Sequence, residues 1–220
     1  MKITCQDITK SYSKKIINNV IDRLSFDLAS GESMAISGPS GVGKSTLLNL
    51  LSGLDNVDKG KIWFDDVELT RMSNKEKIFF RLNNISLIFQ TPNLLKDFNV
   101  IENIMIPIRY KGISKIKSID IGDRVLKEVG LFDIREKPIS LLSGGEAQRV
   151  GIARAMAMES KIILADEPTG NLDTENSKLV MNHLIDICKK HSTTLIVVTH
   201  DKEVIIQLNN VVQMKDGIFI

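Results

Sequence analysis

From Leu24 to Ala29 apolar and polar positions alternate, Leu24, Phe26 and Leu28 against Ser25, Asp27 and Ala29. That is the period of a strand with one buried face. Further along the chain the pattern changes to short apolar runs: Met34–Ile36, ISLIF at Ile85–Phe89, KIILA at Lys161–Ala165 and TLIVVT at Thr194–Thr199. The last two are unbroken, as expected of strands buried on both faces of a parallel sheet. Helical patterns separate the runs. One helix starts near Lys44 and ends by Gly53. A second is opened by the capping-box pair Ser73 and Glu76 and runs to about Leu82. A third starts at Asp173, with the apolar set Val180, Leu184, Ile187 and Cys188. Lys61–Leu69 reads as a hairpin around Asp65-Asp66. The chain closes with a strand at Val211-Val212, a turn at Lys215-Asp216-Gly217 and a return through Ile218–Ile220.

The middle of the chain, from Asn99 to Lys137, is helical by pattern and predicts no strand. Asn99 with Glu102 matches a cap, Pro107 should bend or break the helix beyond it, and a helix from about Ile119 to Val129 stops at Gly130. Ser143 with Glu146 caps another helix, to about Met158. Strands alternating with helices predict an α/β fold with a mostly parallel core sheet. The N-terminal strands form an antiparallel β flank, and an inserted helical lobe covers roughly 95–160 within one domain spanning 1–220.

Composition changes this picture little. The 220 residues are 43% hydrophobic and 25% charged, enough for a sizeable core. A formal net charge of +2 is too balanced for a nucleic-acid partner, and Lys111, Lys115 and Lys117 read as a solvated face. The two cysteines, Cys5 and Cys188, are far apart with no CxxC, so no disulfide framework is expected and a reducing cytoplasm fits. The start, MKITCQDITKSY, lacks the apolar stretch of a signal peptide. No run approaches the ~18 apolar residues of a membrane span, so any spanning part must come from another polypeptide.

The chemistry lies at strand ends. Gly38-Pro-Ser-Gly-Val-Gly-Lys-Ser-Thr46 matches G-x-x-x-x-G-K-[ST], with a strand before it and a helix after. Its glycines, Gly38, Gly41 and Gly43, and Ser40 between them let backbone N–H groups face phosphates at a helix N-terminus. Lys44 can reach the β- and γ-phosphates, Ser45 can ligate Mg²⁺, and Thr46 can add a hydroxyl to the α-phosphate. Asp166 and Glu167 end the strand after Lys161. Asp166 suits a contact to Mg²⁺ and Glu167 suits polarising an attacking water, their side chains pointing opposite ways on an extended chain. Gln90, after ISLIF, can touch both metal and water. His200, after TLIVVT, can contact the γ-phosphate. Tyr12 can stack on an adenine.

A second phosphate-shaped turn, LLSGGEAQRVGIARA at Leu141–Ala155, lies far downstream. With it the set resembles the nucleotide-binding subunit of an ATP-binding cassette (ABC) transporter, over essentially the whole chain. The motifs are Tyr12, the glycine loop, Gln90, LSGGE at Leu142–Glu146, ADE at Ala165–Glu167, NLD at Asn171–Asp173 and His200. The resemblance implies an ATPase using Mg²⁺ that pairs head to tail with a second copy of itself. Ser143, Gly144 and Gly145 of one copy would close over the nucleotide of the other, and Asp173 would couple the two sites. It also implies a separate transmembrane subunit and a peripheral place on the cytoplasmic face of the cell membrane. The loop Thr91–Phe98, with Leu94, Leu95 and Phe98, is the expected docking surface for that subunit. FQTPNLL, VIENI and LADEPTGNLD look like the ATPases of lipoprotein-release, macrolide-export and cell-division systems. An importer, or a cell-division complex that transports nothing, is the alternative. No nucleic acid is expected. A small-molecule kinase has no use for LSGGE, and a soluble repair or translation cassette usually carries a coiled coil or a second cassette.

Overall fold

The computed structural model of the protein describes residues 1–12, 19–170, 172 and 174–220. Its strands form two sheets. Strands β1 (Ile3–Ser11), β2 (Asn19–Leu28), β4 (Lys59–Phe64) and β5 (Val67–Glu68) make an antiparallel sheet of order β2-β1-β4-β5. Strands β3 (Ser33–Ser37), β6 (Ile85–Ile88), β7 (Ile162–Asp166), β8 (Thr194–Val198), β9 (Asn210–Lys215) and β10 (Ile218–Phe219) make the second, of order β10-β9-β3-β8-β7-β6. It is parallel throughout except where β10 turns back on β9. Helices α1 (Lys44–Leu51), α2 (Asn74–Asn84), α3 (Val100–Tyr110), α4 (Lys115–Glu128), α5 (Gly144–Ala157), α6 (Thr174–His191) and α7 (Lys202–Ile205) connect them.

The unbroken apolar runs have a simple cause. In β7, Ile162 and Leu164 pack with the flank and α1, whereas Ile163 and Ala165 pack with the helices on the other side. In β8, Ile196 and Val198 take the first side and Leu195 and Val197 the second. The parallel sheet therefore divides two hydrophobic cores, and every position along these strands must be apolar. The second core is built from α3, α4, α5 and α6, and includes Ile104, Val125, Leu126, Val150, Met156 and Leu184. Both cysteines are buried core residues.

Three helices begin with reciprocal capping boxes, Ser73 with Glu76, Asn99 with Glu102 and Ser143 with Glu146. In each the cap side chain accepts from the N3 backbone while the glutamate accepts from the cap N–H. The hairpin turns at Asp65-Asp66 as expected. Four expectations change. Helix α3 runs on through Pro107 to Tyr110. Near the C-terminal end, the missing N–H costs one intrahelical bond, and packing of Ile104 and Ile108 holds the last turn. Helix α4 starts at Lys115, a turn early, because Ser114 caps it. The short helix α7 has no counterpart in the sequence pattern; Asp201 caps it. Lys111 is not part of a solvated face: it is half-buried, and its ammonium donates to the carbonyl of Met158 at 2.6 Å.

The helical stretch after β6 leaves and rejoins the body at neighbouring points. Asn99 and Pro138 form an isolated antiparallel bridge, flanked by bonds from Val100 N to Lys137 O and from Ile101 N to Arg135 O.

Candidate active site

Parallel pairing fixes the site. Ile36 lies beside Val198, Asp166 beside Val198, and Ile88 beside Ala165. The residues just beyond these positions therefore emerge at one edge of the sheet, outside the carboxyl ends of the strands. There they line one cleft of about 420 Å³, shared by Ser40, Gly41, Gly43, Lys44, Ser45, Thr46, Gln90, Asp166, Glu167 and His200, with Val20 from β2 on its wall.

The loop between β3 and α1 is built around positions that only glycine can fill. Gly43 is the N-cap of α1 at φ 105, and a Cβ there would lie 2.6 Å from the carbonyl oxygen of Val20. A Cβ on Gly38 would lie 2.3 Å from that of Met214. No side chain caps α1, so its first N–H groups face the cleft, the arrangement that attracts an anion. The ammonium of Lys44 curls back on this loop, donating to the carbonyls of Gly38 (2.8 Å) and Pro39 (2.7 Å).

Two carboxylates end β7, but not as two residues of one extended strand. Asp166 closes the strand, whereas Glu167 is left-handed at φ 44, its N–H donating to Val198 O at 2.9 Å. The turn, not strand alternation, separates their side chains. Such a backbone costs a non-glycine residue on the order of 1 kcal/mol and concentrates at functional sites. Burial pushes the Asp166 carboxyl above the usual carboxylate range, and the charge of Glu167 adds to that; the Ser45 hydroxyl and Lys44 oppose it. His200 is exposed and its Nδ1 lies 3.0 Å from Glu167 Oε1. That hydrogen bond and the carboxylate charge raise the imidazole pKa above 6.5. Ser45, Gln90 and Asp166 together offer oxygen donors, the hard set that suits Mg²⁺. Among the described residues no cluster of three or more His, Cys, Asp or Glu provides a rival metal site.

Tyr12 comes directly after β1 and does not line the cleft. It is exposed, with its hydroxyl donating to Asp55 Oδ2 at 2.8 Å, within hydrogen-bonding reach of Thr46 of the glycine loop. Lys10 binds the same carboxylate at 2.7 Å and sits 5.1 Å from the Tyr12 ring centre. Burial works to raise the Asp55 carboxyl, but hydrogen bonds from Lys10 and Tyr12 hold it below its usual value. Sequence reasoning does not find Asp55 or Lys10, since no local spacing links residues this far apart.

Ser143, Gly144 and Gly145 lie outside the cleft. Ser143 is the N-cap of α5 and is exposed, and a Cβ built on Gly144 meets nothing within 4 Å among the described residues. Asp173, expected to couple two sites, lies outside the described residues. In Thr91–Phe98, Leu95 and Phe98 are 45% and 40% exposed, but Leu94 packs into the helical core. Leu95 and Phe98 continue into an open groove along α3 formed with Met105, Ile106 and Tyr110, flanked by Glu102 and Arg109.

A family profile described as ABC transporter matches residues 21–170. The lipoprotein-releasing system ATP-binding protein LolD of Bdellovibrio bacteriovorus is 40% identical over 212 residues, 96% of each chain. That of Wigglesworthia glossinidia brevipalpis is 39% identical over 219 residues, 98% of this chain and 94% of its own. Among solved structures, a dimeric post-hydrolysis state of the ATP-binding cassette MJ0796 bound to ADP and Pi superposes with a TM-score of 0.94 at 31% identity. It covers 99% of this chain and 96% of that one. The cbiO1 subunit from Clostridium perfringens gives 0.87 at 29% identity, covering 99% and 86%.

Proposed function

Because the chain belongs to the ABC transporter family of ATP-hydrolysing cassettes, we propose that it is the nucleotide-binding subunit of a lipoprotein-releasing type of complex. In this reading it works peripherally on the cytoplasmic face of the cell membrane. It closes head to tail with a second copy of itself on ATP and passes that motion to a separate membrane-spanning subunit. Among the described residues no helix is long and apolar enough to cross a membrane. The similarity to LolD proteins along almost the whole chain supports the subfamily.

The observation that carries the reading is the separation of the two phosphate-shaped features. The cleft gathers the glycine loop, Gln90, Asp166, Glu167 and His200, whereas the exposed turn at Ser143 lies outside it, with Gly144 facing open space among the described residues. A second copy supplies a ligand for that turn: Ser143 and the N–H groups at the start of α5 meet the γ-phosphate held in the partner's cleft. Asp173, shortly after Glu167 in the sequence, couples the two sites.

Within a cleft the roles derive from chemistry. The glycine-loop N–H groups and Lys44 hold the phosphates, exchanging the carbonyl partners of Lys44 for phosphate oxygens. Ser45, Asp166 and Gln90 would hold Mg²⁺, which when bound would supply neutralisation of the phosphate charge. Glu167 accepts a hydrogen bond from the water that attacks the γ-phosphorus, and His200 orients that carboxylate. Tyr12 stands beside the loop to take the adenine. The groove around Leu95 and Phe98 receives the membrane subunit, an exposed apolar surface shortly after Gln90 in the chain.

Replacing Glu167 by Gln tests this. Phosphate release should fall by a factor of about 10² or more, while light scattering still detects an ATP-dependent dimer. Hydrolysis at the wild-type rate overturns the assignment. Leu95→Asp with Phe98→Asp should spare the hydrolysis of the isolated chain and abolish its co-purification with the membrane subunit; retained co-purification removes the docking surface.

A further inference from the structure

Gln148 has no surface exposure, yet it carries an amide. Its Nε2 donates to the carbonyl of Phe89 at 3.2 Å and to that of Pro168 at 2.8 Å. Phe89 precedes Gln90, and Pro168 comes after Glu167. One buried amide thus bridges the backbone beside two residues of the cleft, at the ends of the adjacent strands β6 and β7. The bridge has a cost: Oε1 of Gln148 is buried with no partner among the described residues. A side chain needed only to fill this space could be apolar and avoid that cost.

The same face of α5 continues the grip. One turn on, Gly151 brings the helix so close to Pro92 that a Cβ would lie 2.9 Å from the proline ring. A turn further, Arg154 donates to the carbonyls of Pro92 at 2.6 Å and Asn93 at 3.1 Å, with Asn93 itself left-handed at φ 46. The segment from Phe89 to Asn93 is therefore bound at its two ends, through the carbonyls of Phe89, Pro92 and Asn93, to the helix that begins at Ser143-Gly144-Gly145.

Resting on the proposed roles of Gln90 and Glu167, we propose that Gln148 is a positioning residue. It ties the Gln90 segment and the Glu167–Pro168 turn to α5, so that where Ser143 sits against a partner copy's nucleotide sets where this chain's own amide and carboxylate sit. Arg154 secures the far end of the same segment. Engagement of one site is thereby read by the other through a single helix, without passing through the membrane subunit. Gln148 touches no substrate; it acts through its two neighbours.

A double-mutant cycle on the full chain tests this, comparing wild type, Gln148→Met, Gln90→Ala and the double variant. Gln148→Met keeps the volume and removes both donors. It should lower kcat about tenfold while leaving KM for ATP and Tm near the wild-type values, because misplacement rather than lost binding is the defect. On the Gln90→Ala background the same change should cost about threefold or less, the remainder passing through the Glu167–Pro168 turn. An equal factor in both backgrounds, or no loss in wild type, overturns the proposal. Hydrolysis by Gln90→Ala at the wild-type rate instead sinks the reading of Gln90, and the proposal with it. Should Gln148→Met fail to fold, Arg154→Lys reads the same tether and carries the same expectation of non-additivity with Gln90→Ala.

Discussion

The chain has two helix starts of similar composition, and they are finished in opposite ways. At α1 the cap is Gly43, left-handed and without any capping side chain, and both Gly43 and Gly38 face backbone carbonyls closer than a Cβ can stand. At α5 the cap is Ser143, closed by Glu146 in a complete capping box, and Gly144 faces open space. The first set of glycines is demanded by the chain itself. At Gly144 neither backbone conformation nor any neighbour among the described residues makes that demand. In the proposed dimer, that open space is where a partner's nucleotide would come.

The contrast is broken most severely at the first helix. Gly43→Ala introduces both the left-handed strain and the contact with Val20, and should raise the Kd for ATP by about 10² or more, read by calorimetry. Normal binding would mean that the loop tolerates a side chain and that the two starts are alike. Ser143→Arg, made in the Glu167→Gln background, should leave ATP binding by the single chain within about a factor of two, yet remove the ATP-dependent dimer in light scattering. A dimer that persists would place the turn at Ser143 outside the interface.

Gly144→Ala sharpens the comparison further. Alone, the chain should gain about 0.4–1 kcal/mol, because alanine loses less backbone entropy on folding. Hydrolysis should nevertheless fall, so that Tm and kcat move in opposite directions. A gain in both would show the open space is merely open. The smallest effect concerns the cleft. His200 titrates above 6.5 because Glu167 pairs with its charged form. The stability from that pairing is full below the unfolded imidazole pKa and is lost as pH rises through the folded one. Glu167→Gln should lower the His200 midpoint in an NMR titration; an unmoved midpoint would remove the pair.

Much of this architecture is legible in the chain. Strands buried on both faces are unbroken apolar runs, as at Ile162–Ala165, and caps such as Ser73 with Glu76 are local chemistry that neighbours in sequence carry out. The glycine loop is legible for the same reason. The features that escape a reading of the sequence are tertiary. Pro107 survives inside a helix because distant packing outweighs one lost bond, and Leu94 turns inward to a core that its own loop does not announce. Glu167 is left-handed because β8 offers Val198 O to its N–H. Gln148 looks like one more polar residue on an exposed turn of helix until Phe89 and Pro168 are seen beside it.

The bridge between Asn99 and Pro138 bears on how such proteins diversify. Because the chain departs and returns at adjacent residues, the stretch between them can be exchanged or lengthened while the strands that carry the cleft keep their register. A donor stretch must bring only a matching apolar face for α5 and α6. The junction is thus a natural splice point, at which one helical stretch can be exchanged for another while the cleft is retained.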